Sequence, residues 1–293
     1  MSAESLRWEQ APERLREPAL VFAFLGWNDA GQAASSALAA AAGSLDAELL
    51  ATIDAEAFYD FQVVRPTIDL GQPDAPRLSW PEVRLSVARP RDGRRDLLFL
   101  SGGEPSHRWR TFCELVLGAG DQLGVHHYVG LGSLLADVAH TRPVSLTGIA
   151  SSPELVEGMG FRPPTYRGPT GIVGVIHAMA ADAGHAAVSL WAPVPHYLST
   201  APNPKGALAL LDALTRVVGV PFDAAGLEQA SASHDRDVAA AIDRDPDAQA
   251  LVERLEQAAD AQIDAPDMPS GDSIAAEIER FLRQRETGDD GPA

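Results

Sequence analysis

Three short strings place chemistry-bearing side chains beside glycine. Gly26-Trp27-Asn28-Asp29-Ala30-Gly31 follows the apolar run 20–25. Ser101-Gly102-Gly103-Glu104-Pro105 follows residues 96–100, and Gly130-Leu131-Gly132-Ser133 closes residues 125–130. Glycine at a strand end lets backbone N–H groups point at an anion, helped by the N-terminus of the next helix. The same strings also suit plain βα turns. The ligand-binding candidates are therefore Gly26, Gly31, Gly102, Gly103, Gly130 and Gly132. Arg162 and Arg167, in the Pro/Gly-rich stretch 161–169, are candidates for an anion clamp.

Glu104 is the best-placed carboxylate for general-base work. It equally suits a charge at a helix N-terminus, favoured by the macrodipole. Asn28 and Asp29 carry the same two readings, a tight turn with a helix N-cap or a polar site. Ser133 completes the candidate catalytic set Asn28, Asp29, Glu104 and Ser133.

Several familiar chemistries are absent from the sequence. Gly130-Leu131-Gly132 is half of a dinucleotide fingerprint and lacks the third glycine. There is no GxxxxGK[ST] string, and the sole lysine, Lys205, sits among prolines. No HExxH or CxxC string supports zinc, and no GxSxG elbow supports an ordinary α/β-hydrolase. His126 and His127 are adjacent, so in a strand they face opposite ways and cannot chelate together. Cys113 shares a helical face with Trp109, Phe112 and Val116 and reads as a small buried apolar residue. No metal and no cofactor is expected. Phe58, Tyr59, Phe61, Tyr166 and Tyr197 suit either a groove lining or core packing.

The elements that must position these residues follow from periodicity. The continuous apolar run 20–25 reads as a strand covered on both faces, and the apolar-rich stretches 48–53 and 187–192 read as further strands. Residues 83–88 alternate, and with Asp92-Gly93 and 96–100 they read as an antiparallel hairpin at one edge of the sheet. Residues 144–150 read as a further strand. Helices are expected at 32–42, from Pro105 to about Gly118, at 154–158, after a Thr170 N-cap, and through Leu208, Leu211, Leu214 and Val218. Leu6, Trp8 and Leu15 are candidate anchors in a polar start. Beyond residue 222 no strand pattern remains. Residues 224–242, 247–259 and 273–285 read as helices, the last with a stripe Ile274, Ile278, Phe281 and Leu282. That stripe suits a partner groove or packing on its own domain. The division is an α/β body over 1–222 and a helical extension over 223–293 with a disordered end.

The chain has 293 residues, is 45% hydrophobic and carries a net charge of −18. Residues 223–293 account for −12 of that charge and residues 1–222 for −6. This sign repels phosphate backbones, so nucleic acid is not an expected partner. A single cysteine rules out an intrachain disulfide. No run of about 20 apolar residues exists to span a bilayer, and the N-terminus lacks the apolar core of a signal peptide. The expected location is cytoplasmic.

LVFAFLGWNDAGQAAS, FLSGGEPSHRWRTF, and GLGSLLADVAHTRPVSLTGIASS followed by YRGPTGIVG together resemble the PAC2 family, over roughly residues 20–220. The resemblance implies a mixed sheet between helices, similar to the phosphorylase/hydrolase type. It implies a homo-oligomer, with a trimer as a plausible assembly. It also implies a non-enzymatic, assembly-chaperone-like role, with other proteins, proteasome-related ones among them, as partners. The competing reading is an enzyme or enzyme-derived small-molecule binder, with a phosphorylase/hydrolase-like pocket at the strand-end strings.

Overall fold

The computed structural model describes residues 6–71, 77–90, 95–164, 166–199 and 202–263. The expected helix 273–285 and the Asp92-Gly93 turn lie outside these residues. The strands of the main sheet are β1 (Leu6–Trp8), β2 (Ala19–Leu25), β3 (Glu48–Ile53), β6 (Val83–Ala88), β7 (Leu97–Gly103), β8 (His127–Ala136), β9 (Thr147–Ala150) and β10 (Ala186–Pro195). These eight form one mixed sheet in the order β1-β3-β6-β7-β2-β8-β10-β9. A separate two-stranded hairpin holds β4 (Thr67–Asp69) and β5 (Arg77–Ser79).

The four central strands, β7, β2, β8 and β10, run parallel. Parallel strands need helical crossovers that cover both faces, and β2 shows the consequence. Leu20, Phe22 and Phe24 point to one face and pack in a cluster with Phe112, Cys113 and Val116 of α2 (Trp109–Leu123) and Ile172 and Ile176 of α3 (Ile172–Asp182). Ala19, Val21 and Ala23 point to the other face. There they meet Ala37, Leu38 and Ala41 of α1 (Ala33–Ser44) and Leu210, Leu211 and Leu214 of α4 (Pro204–Val218). Small residues let α1 and α4 approach closely, and a Cβ on Gly206 would lie 3.2 Å from that of Ala33. Among the described residues, two further helices, α5 (Ala225–Ile242) and α6 (Pro246–Ile263), follow without a strand.

The mixed α/β core and the all-helical C-terminal extension match the expected fold class. Four local expectations differ. The hairpin of β6 and β7 is interior, because β3 and β1 extend the sheet beyond β6 and β7 abuts β2. The half-exposed alternation of β6 suggests an edge, yet Val83, Leu85 and Val87 are buried under neighbours. β1 is a three-residue edge strand too short to show a period; it pairs Leu6 with Ile53. α2 begins at Trp109, and Pro105 instead accepts the Trp109 Nε1–H through its carbonyl. Residues 154–158 give only a 3₁₀ turn, Pro153–Leu155.

Candidate functional site

β2 leaves the sheet through Gly26, whose φ of 129° requires glycine. The chain then turns, and the carbonyl of Asn28 accepts the N–H of Ser133 at 2.8 Å. Ser133 Oγ donates to the Ala30 carbonyl at 2.9 Å. The turn is thereby stitched to β8. Asp29 Oδ1 accepts the N–H groups of Ala34 and Ser35 at 2.9 and 3.0 Å, which caps α1 across a 3₁₀ turn containing Gly31. Burial raises the Asp29 pKa, against the pull of its hydrogen bonds at Ser35 and Ala34.

Glu104 enters the same corner from the end of β7. Its N–H donates to the Leu25 carbonyl at 2.8 Å, and its Oε1 accepts the Ile172 N–H at 2.8 Å. Glu104 thus occupies the N-terminus of α3, where Gly171 rather than Thr170 is the N-cap. An anion site built from a helix N-terminus is here filled by the chain's own carboxylate. Gly171 is forced by contact, since a Cβ there would fall 2.1 Å from Asn28 Oδ1.

The fold therefore brings Asn28, Asp29, Glu104 and Ser133 to one corner at the carboxyl ends of β2, β7 and β8. The side chains of Asp29, Glu104 and Ser133 bond backbone, and Asn28 is held through its own carbonyl. Asn28, Asp29 and Ser133 are 5%, 7% and 0% exposed, too enclosed to meet a substrate. Asn28 Oδ1 and Asp29 Oδ2 are buried without a hydrogen-bond partner.

The glycine strings behave differently from the expectation of three turns. Only Gly26 and Gly31 turn the chain, both at positive φ. Gly102 and Gly103 are inside β7, and Gly130 and Gly132 are inside β8, which runs on to Ala136. Their backbones are committed to strand pairing rather than aimed at a ligand. The missing side chains make room for neighbours. A Cβ at Gly130 would lie 2.9 Å from Phe22 and Val173, at Gly132 2.5 Å from Trp191, and at Gly102 2.9 Å from Val83.

Arg162 does not join this corner through its backbone, which pairs beside β9 at the sheet edge, donating to Leu146 O and accepting from Gly148 N. Arg167 is exposed. Phe58 and Tyr59 are core residues, and Tyr59 donates its hydroxyl to the Gly103 carbonyl. Tyr197 bonds His140 instead, while Tyr166 is exposed. Among the described residues, no group of three His, Cys, Asp or Glu side chains is placed to hold a metal ion.

The same strand ends carry exposed apolar side chains not anticipated from the sequence. Leu25, Trp27, Leu134 and Leu135 are 49%, 62%, 44% and 49% exposed. Trp27 precedes Asn28, whose carbonyl accepts the Ser133 amide, and Leu134 follows Ser133. Among the described residues, β8 beyond Ser133 pairs only with β10. Two consecutive leucines in a strand face opposite ways, a signal that at least one departs from the shared core.

The family model described as "PAC2 family" matches residues 23–242. The chain belongs to the PAC2 family. Its match reaches through α5. A solved structure of a Mycobacterium tuberculosis proteasome-assembly chaperone homologue is 43% identical, covering 80% of this PAC2 chain and 99% of that one, with a TM-score of 0.73. A PAC2 family protein from Streptomyces avermitilis is likewise 43% identical, with coverage of 81% and 99% and a TM-score of 0.73. An archaeal proteasome activator from Pyrococcus furiosus shares the fold at 15% identity, with coverage of 81% and 98% and a TM-score of 0.64. No curated protein matches the chain.

Proposed function

We propose that this PAC2 chain is a non-enzymatic, homo-oligomeric protein that binds other proteins in an assembly-chaperone-like role, with proteasome subunits as the partner class. The observation that carries this reading is the exposure of Leu25, Trp27, Leu134 and Leu135 at the carboxyl ends of the parallel strands β2 and β8, beside a corner whose polar residues are nearly all enclosed. Large apolar side chains left exposed at one end of a sheet suit an interaction surface, and an aromatic anchor such as Trp27 is typical of binding hot spots. The 43% identical relative described as a proteasome-assembly chaperone homologue supports the partner class.

The finer expectations belong to the same reading. They are a phosphorylase/hydrolase-like layering of the mixed sheet, a trimer, a cytoplasmic location, and a functional division between residues 1–222 and 223–293. No helix among the described residues is long and apolar enough to cross a membrane.

Purified full-length chain mixed with proteasome subunits from its own organism tests the reading. Gel filtration should show a complex that Trp27→Asp or Leu135→Asp abolishes while the oligomer persists. Absence of a complex, or equal binding by both variants, refutes it. The enzyme-derived alternative draws on the convergence of Asn28, Asp29, Glu104 and Ser133. It predicts that a small anion such as phosphate raises the melting temperature of the parent chain, with no need of a protein partner.

A further inference from the structure

The small hairpin of β4 and β5 is amphipathic, and its apolar side is bare. Ile68 and Leu78 stand directly opposite one another in the register, so they share a face. Leu70 lies two residues past Ile68 and Trp80 two past Leu78, the spacing that keeps side chains on one side of an extended chain. Ile68, Leu70, Leu78 and Trp80 are 58%, 70%, 54% and 56% exposed. The alternate positions are polar pairs on the opposite face, Thr67 with Ser79 and Asp69 with Arg77. Trp80 fastens the hairpin to the body, its ring centroid 5.1 Å from that of Phe61, which packs against the core. An antiparallel sheet with one apolar and one polar face lays the apolar face on a core, and two strands alone are marginal in water. Among the described residues β4 and β5 pair only with each other. The hairpin therefore needs a cover that is present whenever the chain is folded.

We infer that the cover is a second copy of this chain, with the Ile68–Leu78 face of one hairpin packed on the same face of another. The inference rests on the homo-oligomeric part of the reading above and names its contact surface. A second copy accompanies every chain, whereas a partner of another kind is bound only part of the time. Charge selects the same occupant. A net charge of −18 opposes self-association. Between residues 60 and 84, however, Asp60, Asp69, Asp74 and Glu82 stand against Arg65, Arg77 and Arg84, so the signs are mixed and nearly balanced. Two copies meet there with little repulsion. The size also fits. The four side chains leave roughly 300 Å² of apolar surface bare, enough for the apolar centre of an interface to which each partner contributes about 800 Å². The hairpin edges suit contact less well than the face, since each strand is three residues long and Pro66 and Pro81 flank them.

The test is sedimentation of the full-length parent, of Ile68→Asp/Leu78→Asp and of Thr67→Asp/Ser79→Asp. Both variants set two carboxylates directly across the hairpin and so burden its fold alike, but only the first charges the apolar face. The expected result is an oligomer for the parent and for Thr67→Asp/Ser79→Asp, and a single chain for Ile68→Asp/Leu78→Asp with unchanged far-UV circular dichroism. An Ile68→Asp/Leu78→Asp protein that stays assembled overturns the inference. Loss of assembly in both variants also overturns it, because the hairpin's own fold rather than its apolar face is then the requirement. A Leu78→Cys variant gives a reading that needs no loss of assembly, since the native Cys113 is buried. Chains cross-linked in pairs by a short bis-maleimide support the contact, and singly labelled chains alone count against it. Hydrogen exchange at residues 67–69 and 77–79 that slows only when proteasome subunits are added overturns it as well, because the cover is then a partner of another kind. The two proposals fail separately. If the parent oligomer ignores Ile68→Asp/Leu78→Asp while proteasome subunits bind, this contact falls and the functional reading stands. If that variant disperses the oligomer and the subunits bind neither protein, the partner class falls and this contact stands. A parent that sediments as a single chain removes the homo-oligomer and this contact together, and subunit binding then decides what is left of the functional reading.

Discussion

The Glu104 carboxylate and the Ile172 amide meet at 2.8 Å, so the end of β7 caps the helix that crosses beneath the sheet. Sixty-eight residues separate them, and the bond ties two halves of the parallel block. Removing a side-chain cap costs about 0.5–2 kcal/mol. Glu104→Ala should lower the unfolding free energy, read from urea melts, by an amount within that range, and Glu104→Gln, which keeps an acceptor, should lower it less. The vacated helix N-terminus should then accept a small anion. Sulfate is expected to raise the melting temperature of Glu104→Ala more than that of the parent. Equal stability of parent and Glu104→Ala would show that the bond contributes nothing.

The glycines predict opposite signs at different positions. A methyl at Gly130 would press on Phe22 and Val173 at 2.9 Å, inside a core packed on both faces. Overpacking of this kind costs about 1–3 kcal/mol. Gly118 lies in α2, and a Cβ added there would have nothing within 4 Å. At that position, Gly→Ala removes only backbone freedom from the unfolded chain and should stabilise by about 0.4–1 kcal/mol. Denaturant melts of Gly130→Ala and Gly118→Ala should therefore move in opposite directions.

This contrast explains what the sequence can and cannot convey. The apolar runs of β2, β3 and β10 and the helical stripe of α4 are legible because burial on a regular element imposes a period. Asp29 as a cap is legible because its side chain acts on amides five and six residues away. Gly130 and Gly132 resemble a turn because a glycine needed for positive φ and one needed for close approach look alike in a string of letters. What separates them is the Phe22 or Trp191 side chain opposite, 108 or 59 residues away in sequence. The Glu104–Ile172 cap is hidden for the same reason. The exposed Trp27 reads as part of a turn, since nothing local tells whether an indole is covered.

Asp29 predicts a pH dependence of definite sign. Burial holds its pKa above the ordinary value of 3.8. The folded state therefore binds a proton more tightly than the unfolded state, and this group's ionisation opposes folding. Its contribution worsens as pH rises from the unfolded pKa through the higher folded pKa, and it levels off above that. Asp29→Asn keeps an acceptor for Ala34 and Ser35 and cannot ionise. The variant should lose this falling component of the stability–pH curve and equal or exceed the parent at neutral pH. Urea melts from acid to neutral pH, parent against variant, check the difference. A difference that grows in the parent's favour with rising pH contradicts the assignment.

The last relationship concerns how α6 is held. Val252 is its one buried apolar side chain among the described residues, and Leu251 and Leu255 are only partly covered. Against this small apolar seam stands a polar clamp. Arg142 spans Glu256 and Asp260, and Thr141 Oγ1 donates to Glu256. The pairing holds the Asp260 carboxyl below its usual range, chiefly through its hydrogen bond to Arg142. Exposed ion pairs are screened by salt, and a helix with so little apolar burial depends on them more than α4 does. Arg142→Ala should accelerate hydrogen exchange in α6 while leaving α4 and the sheet unchanged. High salt should produce the same pattern in the parent and add little in the variant. Sign reversal gives the sharper comparison: Arg142→Glu alone should release α6 further, and adding Glu256→Arg with Asp260→Arg should restore protection. If the triple variant exchanges as fast as Arg142→Glu, the apolar seam through Val252 holds α6 and the clamp is incidental.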